Sequence, residues 1–99
     1  MQVPEFVVGF SNLTTYEGEQ VRFEVEVRGD PAPTVSWYRD GELIRDSPDF
    51  QIFTEANRSL LYISEVFMED QGLFTCTASN AAGSSECSAR LTIEPRPQL

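Results

Sequence analysis

Hydrophobic and polar residues alternate along most of the chain. The clearest run covers residues 20–28, where Val, Phe, Val and Val occupy the odd positions from 21 to 27 and the even positions are Arg or Glu. Successive side chains of a β-strand point to opposite faces, so this period of two predicts a strand. One of its faces is dry and the other is solvated, as in a half-buried antiparallel sheet.

The same alternation returns in short segments that are separated by turn residues. Further strands are predicted at residues 5–8, 12–16, 34–39, 42–44, 50–54, 59–64, 72–79 and 84–94. Residues 65–71 do not alternate and are expected to connect two strands through a helical turn beneath Val66. This spacing of short strands is typical of an all-β sandwich or barrel.

Turn residues mark the ends of the predicted strands. Asp40-Gly41 is a hairpin dipeptide whose residues tolerate positive φ. Residues 29–33 contain two prolines, which remove ladder donors and are expected to break the sheet. Residues 96–99 include a further proline and are interpreted as a linker, so the single domain is predicted to span residues 1–95.

The composition is that of one small globular domain with an acidic surface. The chain has 99 residues, of which 40% are hydrophobic, and a net charge of −9 from 16 acidic and 7 basic residues. An acidic surface repels nucleic-acid phosphates and anionic lipid headgroups, so neither is an expected partner. The isolated domain is expected to be monomeric.

The residue types needed for catalysis are missing. The chain has no His and no Lys, so no imidazole or amine can act as the base for a nucleophile. Two Cys without His cannot complete a zinc site. No cofactor is therefore expected. The acidic pairs lack the dense alternating carboxylates of a calcium loop and are interpreted as solvated turn residues: Glu17 and Glu19, Asp46 and Asp49, Glu69 and Asp70.

Several short motifs follow one another in a recognisable order. They are Glu17-Gly18-Glu19, residues 29–33, residues 35–41 around Trp37, Leu61-Tyr62-Ile63, and residues 69–80 around Cys76. Together the motifs span nearly the whole chain and resemble an immunoglobulin domain of the I-set. Within the I-set, they are similar to the titin-like muscle and cytoskeletal family (titin, palladin, myopalladin and myosin-binding proteins).

The resemblance implies a two-sheet antiparallel immunoglobulin-like sandwich closed around Trp37. It also implies a parallel pair between residues 12–16, the A′ segment, and residues 84–94, the G strand. Asp70 and Gly72 are expected to shape the turn into the strand at 72–79. The remaining expected core residues are Val25, Leu61, Ile63, Phe74, Cys76 and Leu91.

Two positions depart from the family pattern. Val25 occupies the position of the family's first bridge cysteine, so Cys76 has no partner across the sheets. Loss of such a bridge typically costs ~2–5 kcal/mol, and a domain that folds without it suits a reducing compartment. Phe74 replaces the corner tyrosine and loses one hydroxyl hydrogen bond, on the order of 1 kcal/mol.

The two cysteines allow two interpretations. A hairpin turn centred between Ala81 and Ala82 would place Cys76 directly opposite Cys87. In the first interpretation both are free thiols that pack as small hydrophobic side chains. In the second they form an adjacent-strand disulfide that acts as a redox switch. Intact mass before and after reduction distinguishes the two.

The resemblance implies a non-catalytic module of a multidomain sarcomeric or cytoskeletal protein that provides elasticity. Neighbouring immunoglobulin and fibronectin-type domains and other sarcomeric or cytoskeletal proteins are the implied partners. One alternative is a protein-binding domain of a palladin-like, actin-associated scaffold. Another is an extracellular adhesion or receptor domain, because Asn12 and Asn57 each begin an N-x-Ser/Thr triplet. The missing bridge favours the cytoplasm.

Overall fold

Two β-sheets account for nearly all regular structure in residues 1–97, the part of the chain that the computed structural model describes. The strands are β1 (Gln2–Val8), β2 (Leu13–Tyr16), β3 (Val21–Asp30), β4 (Thr34–Arg39), β5 (Glu42–Leu43), β6 (Phe50–Glu55), β7 (Arg58–Ile63), β8 (Gly72–Asn80) and β9 (Gly83–Glu94). A single turn of 3-10 helix, Met68–Asp70, lies between β7 and β8 and follows the buried Val66 as predicted.

The strands form a four-stranded sheet in the order β1-β3-β7-β6 and a five-stranded sheet in the order β2-β9-β8-β4-β5. β2 pairs with β9 in parallel, from Leu13 opposite Leu91 to Tyr16 opposite Glu94. The other pairs are antiparallel. This topology confirms the predicted immunoglobulin-like sandwich with its A′–G parallel pair.

The core fills the space between the two sheets. The inward residues of β3 are each at most 3% exposed, which confirms the prediction from their alternation. Burying a large apolar side chain is worth about 1.5–3 kcal/mol, so this layer is a main source of stability. All the predicted core positions are buried: Val25, Trp37, Leu61, Ile63, Phe74, Cys76 and Leu91.

β3 extends further than the sequence predicted, because the strand was expected to end at residue 28. β3 continues through Gly29 to Asp30 because Asp30 pairs with Gln2 of β1. The chain therefore leaves the sheet only at Pro31, which has no N–H to donate. β9 ends at Glu94, as predicted, and Glu94 pairs with Tyr16.

The first and last strands begin and end at opposite poles of the sandwich. Gln2 lies beside Asp30 and Asn80, which define the N-terminal pole. β9 starts at this pole with Gly83 and runs the length of the molecule to Glu94 at the C-terminal pole. A force applied to the two ends therefore acts along the strands.

Candidate functional site

A hydrogen bond between the two sheets holds the central tryptophan. The indole Nε1–H of Trp37 on β4 donates to the Ser59 hydroxyl on β7 at 2.9 Å, and both residues are 1% exposed. The Thr54 hydroxyl lies 2.9 Å from the same Ser59 oxygen. A buried indole N–H needs such a partner. The sequence predicted that Trp37 is buried but did not predict its partner. The signal for that partner was Ser59, a single serine in an otherwise apolar strand.

A cluster of aromatic rings surrounds Trp37. The Phe10 ring lies 4.8 Å from the Phe23 ring and 5.3 Å from the Trp37 ring, and Phe23 lies 5.4 Å from Phe74. Tilted ring pairs at this spacing add stability beyond the area that they bury. Phe10 was not predicted as a core residue because it lies in the irregular segment between β1 and β2, where alternation is absent.

The two cysteines are cross-strand neighbours, as the centre of the hairpin predicted. Cys76 on β8 pairs with Cys87 on β9, and both thiols are free. Cys76 is fully buried and Cys87 is half-buried. Burial, together with the neighbouring Cys87, raises the pKa of Cys76 to about 12. The neutral Cys76 thiol is therefore unreactive at neutral pH, and the redox-pair interpretation stays a hypothesis.

A close contact between two turns fixes the register of β4 and β8. Asp40 and Gly41 have φ values of 49° and 85°, as expected for the predicted hairpin turn. The Asp40 carboxylate accepts a hydrogen bond from the Leu73 backbone N–H at 2.8 Å. A Cβ on Gly72 would lie only 2.5 Å from an Asp40 carboxylate oxygen. Gly72 therefore lets the two turns meet.

The buried carboxylate of Asp70 shapes the turn that leads into β8. It accepts a hydrogen bond from the Phe67 backbone N–H at 2.8 Å, and Asp70 is 9% exposed. A carboxylate that accepts a backbone N–H in a short turn fixes the turn locally.

Asn80 ties three segments together at the N-terminal pole. Its side-chain Nδ2 donates to the carbonyls of Gln2 and Pro31, at 2.7 and 2.9 Å. Its Oδ1 accepts from the backbone N–H groups of Ala82 and Gly83. The sequence did not predict this role for Asn80, because Gln2 and Pro31 are distant along the chain.

Arg96 contacts the sandwich at the C-terminal pole. Its guanidinium donates to the Glu17 carbonyl at 3.3 Å and to the Glu19 carboxylate at 2.6 Å. The predicted linker, residues 96–99, thus starts against the turn before β3. Residues 98 and 99 lie outside the described residues.

The outer face of the four-stranded sheet is charged. Glu5 pairs with Arg28, and Glu26 pairs with Arg58, each at 3.1 Å. Exposed Phe53 and half-buried Leu60 line an open depression of about 410 Å³ on this face. The charged residues that point outward on its strands are Glu5, Arg22, Glu24, Glu26, Arg28, Asp30, Glu55 and Arg58.

The outer face of the five-stranded sheet, here called the hydroxyl face, is different. Its charged side chains are Glu86, Arg90 and Glu94 on β9, and its apolar side chains are Leu43 on β5 and Leu73 on β8. The rest of the face consists of hydroxyl-bearing side chains: Thr14, Tyr16, Thr34, Ser36, Tyr38, Thr75, Thr77, Ser79, Ser84, Ser88 and Thr92.

The described residues form no site with unused polar chemistry. Within residues 1–97, every buried side-chain nitrogen and oxygen atom has a hydrogen-bond partner. The same residues contain no group of three or more acidic, cysteine or histidine side chains arranged to hold a metal ion. In the described part of the chain, no helix has the length and hydrophobicity needed to cross a membrane.

These features define the class of protein. Two sheets close around a tryptophan, a parallel pair joins the second and last strands, and the buried polar groups serve the fold itself. This is an immunoglobulin-type β-sandwich. The profile of the immunoglobulin I-set domain matches residues 4–93, and the chain belongs to that family, whose domains are generally non-catalytic.

The similar proteins are muscle and cytoskeletal proteins. The chain is 44% identical over 95 residues to titin of Drosophila melanogaster, covering 96% of this chain and a share of that protein that rounds to 0%. It is 47% identical over 98 residues to myopalladin of Mus musculus, covering 91% of this chain and 8% of that protein. The chain therefore spans a small part of the curated relatives that it matches.

The fold is also that of solved titin domains. The crystal structure of titin domains z1z2 in complex with telethonin superimposes with a TM-score of 0.90 at 38% identity. The match covers 95% of this chain and 48% of that chain.

Proposed function

We propose that this domain is a load-bearing and protein-binding module of a longer muscle or cytoskeletal protein. The similarity to titin and myopalladin supports the setting. The position of the two ends of the sandwich supports the mechanical role, because copies of such a domain can be joined end to end. Its expected partners are neighbouring immunoglobulin and fibronectin-type domains and other sarcomeric or cytoskeletal proteins.

The observation that carries this proposal is the parallel ladder between β2 and β9. Its bonds continue past the strand, where the Glu17 backbone N–H donates to the Glu94 carbonyl at 2.8 Å. Pulling the ends apart slides β2 along β9 and loads these bonds together in shear. Val25 occupies the position of a bridge cysteine, so an unfolded chain extends freely by up to ~3.3–3.6 Å per residue.

Two neighbouring proline substitutions test the mechanical role. The backbone N–H groups of successive residues in a strand point to opposite sides. The N–H of Thr15 therefore points towards β9, as that of Glu17 does, and the N–H of Thr14 points away from β9. We expect Thr15→Pro to lower the unfolding force of tandem repeats in single-molecule stretching, because it removes a ladder donor. Thr14→Pro is the matched control and keeps most of the force. Equal forces for both variants and the wild type would refute the proposal.

We also propose a cytoplasmic setting, in which the bridge would not persist. The free thiols and the packing of Val25 in the core support it. The triplet at Asn57 has a structural explanation, because the hydroxyl of Ser59 bonds Trp37. Expression through a secretory pathway tests the extracellular alternative: addition of glycan mass at Asn12 or Asn57 together with retained folding would favour it.

The similarity to myopalladin favours one second candidate, a specific binding domain of an actin-associated scaffold. The net charge of −9 argues against direct contact with acidic actin filaments. Co-sedimentation with actin filaments at low salt decides this point. Binding that is lost on raising the salt would support direct contact, whereas no binding would leave only a scaffold role through other proteins.

A further inference from the structure

Few of the charges of this domain lie on the hydroxyl face. The net charge of the chain is −9, yet the outward charged side chains of this face are Glu86, Arg90 and, at the end of β9 beside Tyr16, Glu94. Two copies of a strongly acidic domain repel each other wherever acidic faces meet. The hydroxyl face is a surface on which two copies can meet with little of that repulsion.

Tyr38 and Leu43 lie next to each other on one row of this face. Register places Ser88, Thr75, Tyr38 and Leu43 side by side across β9, β8, β4 and β5. Leu43 is 48% exposed, and Leu73, one row away, is 38% exposed. Tyrosine is one of the residues that most often dominate binding energy at interfaces, and the two exposed leucines near Tyr38 add apolar area that association would bury.

The face is self-complementary about that row. Glu86 and Arg90 lie two residues to either side of Ser88 on the same strand, so they point the same way at equal distances from it. A twofold axis along the row would place Glu86 of one copy opposite Arg90 of the other, and the reverse. Tyr38 and Leu43 would meet their own counterparts, as in an isologous dimer.

We propose that two copies of this domain associate through their hydroxyl faces about this twofold axis. The face is about 20 Å across its strands and 30 Å along them, so the pair would bury about 1,200 Å² in total. That area is at the lower limit of specific interfaces, and the dimer is therefore weak and reversible. This proposal is an alternative to the monomer that the sequence analysis expects for the isolated domain.

Charge-swap variants test the pairing of Glu86 with Arg90. Glu86→Arg alone would place two arginines opposite each other, and Arg90→Glu alone would place two glutamates opposite each other. We expect each to weaken dimerisation by roughly tenfold or more. The double variant Glu86→Arg/Arg90→Glu keeps the net charge and should dimerise like the wild type. An equimolar mixture of the two single variants should form a heterodimer.

Sedimentation equilibrium of the whole chain from about 10 μM to about 1 mM gives the readout. Leu43→Glu should abolish association, whereas Phe53→Glu, on the opposite outer face, should not. Circular dichroism checks that each variant is folded. The proposal is overturned if the wild type stays monomeric throughout, if neither the double variant nor the mixture restores association, or if Phe53→Glu disrupts the dimer and Leu43→Glu does not.

Discussion

The two sheets of this sandwich present similar inner faces and different outer faces. Inside, both contribute apolar side chains to one core around Trp37. Outside, the four-stranded sheet carries ion pairs such as Glu26 with Arg58, and the five-stranded sheet carries hydroxyl groups. The inner faces meet the same requirement, which is exclusion of water, whereas each outer face is free to serve solubility or binding.

Both sheets combine local hairpins with pairs between distant strands. In the four-stranded sheet, β6 and β7 form a hairpin, and β3 must find β7 across a long stretch of chain. In the five-stranded sheet, β8 and β9 form a hairpin, whereas β2 must find β9 and β4 must find β8. A few specific contacts, such as Asp40 with Gly72 and Leu73, set that register. Substitutions that remove those contacts are therefore expected to lower the free energy of unfolding more than substitutions that remove the ion pairs.

The largest effect is expected at the contact that joins the two sheets. Trp37→Ala should lower the free energy of unfolding by about 3–5 kcal/mol, because it leaves a cavity in the core. Ser59→Ala should cost about 1–3 kcal/mol, because the buried indole N–H loses its acceptor. Urea unfolding measures both. In a Trp37→Phe background Ser59→Ala should cost much less, and an unchanged cost there would contradict the role of this hydrogen bond.

The next effect concerns the turn contact of the five-stranded sheet. Gly72→Ala should lower the free energy of unfolding by about 1–3 kcal/mol, because the new Cβ would meet the Asp40 carboxylate and the backbone φ of residue 72 is +153°. Gly41→Ala is the matched control, since its Cβ would meet no atom within 4 Å and only backbone strain remains. Thermal unfolding compares the two variants. Equal losses would show that the close approach to Asp40 is unimportant.

A smaller effect appears only in alkali and reports on Cys76. Its pKa in the folded state is raised to about 12 from an ordinary 9. Below pH 9 the thiol is neutral in both states, so its stabilising effect is fully present. Between pH 9 and about 12 the unfolded chain releases the proton more readily, and stability should fall as pH rises.

The Cys76→Ala variant is the control for that decline, because it differs from the wild type only in lacking this thiol. Its stability should fall less steeply above pH 9 than that of the wild type, as measured by urea unfolding at each pH. Parallel slopes would show that Cys76 is not the group responsible.

Intact mass after mild oxidation, with and without reductant, tests the redox-pair hypothesis for Cys76 and Cys87: a loss of two hydrogens would support it.

The smallest effect is expected on the charged face. Glu26 and Arg58 form an ion pair at 3.1 Å between a half-buried carboxylate and a largely exposed guanidinium. A pair with such access to solvent is worth less than about 1 kcal/mol. A double-mutant cycle of Glu26→Gln and Arg58→Ala should give a small coupling energy that vanishes in about 1 M salt. A coupling as large as that between Trp37 and Ser59 would remove the distinction between the two sheets.

Much of the fold could be predicted because alternation is a local property. The inward residues of β3 follow from the period of two, and the Cys76–Cys87 register follows from one hairpin centre. Phe10 could not be predicted, because it lies in an irregular segment whose side-chain directions depend on how β1 leads into β2. Asn80 could not be predicted either, because its partners Gln2 and Pro31 belong to distant segments.

By itself the sequence determined which side chains face the core, where the turns fall and that the bridge cysteine is replaced by Val25. These are properties of neighbouring residues. Only the tertiary structure decided that hydroxyl side chains from β2, β4, β8 and β9 form one face, with Tyr38 and Leu43 on the same row as Ser88. That arrangement depends on the register between strands far apart in the chain, which is set when the two sheets pack together.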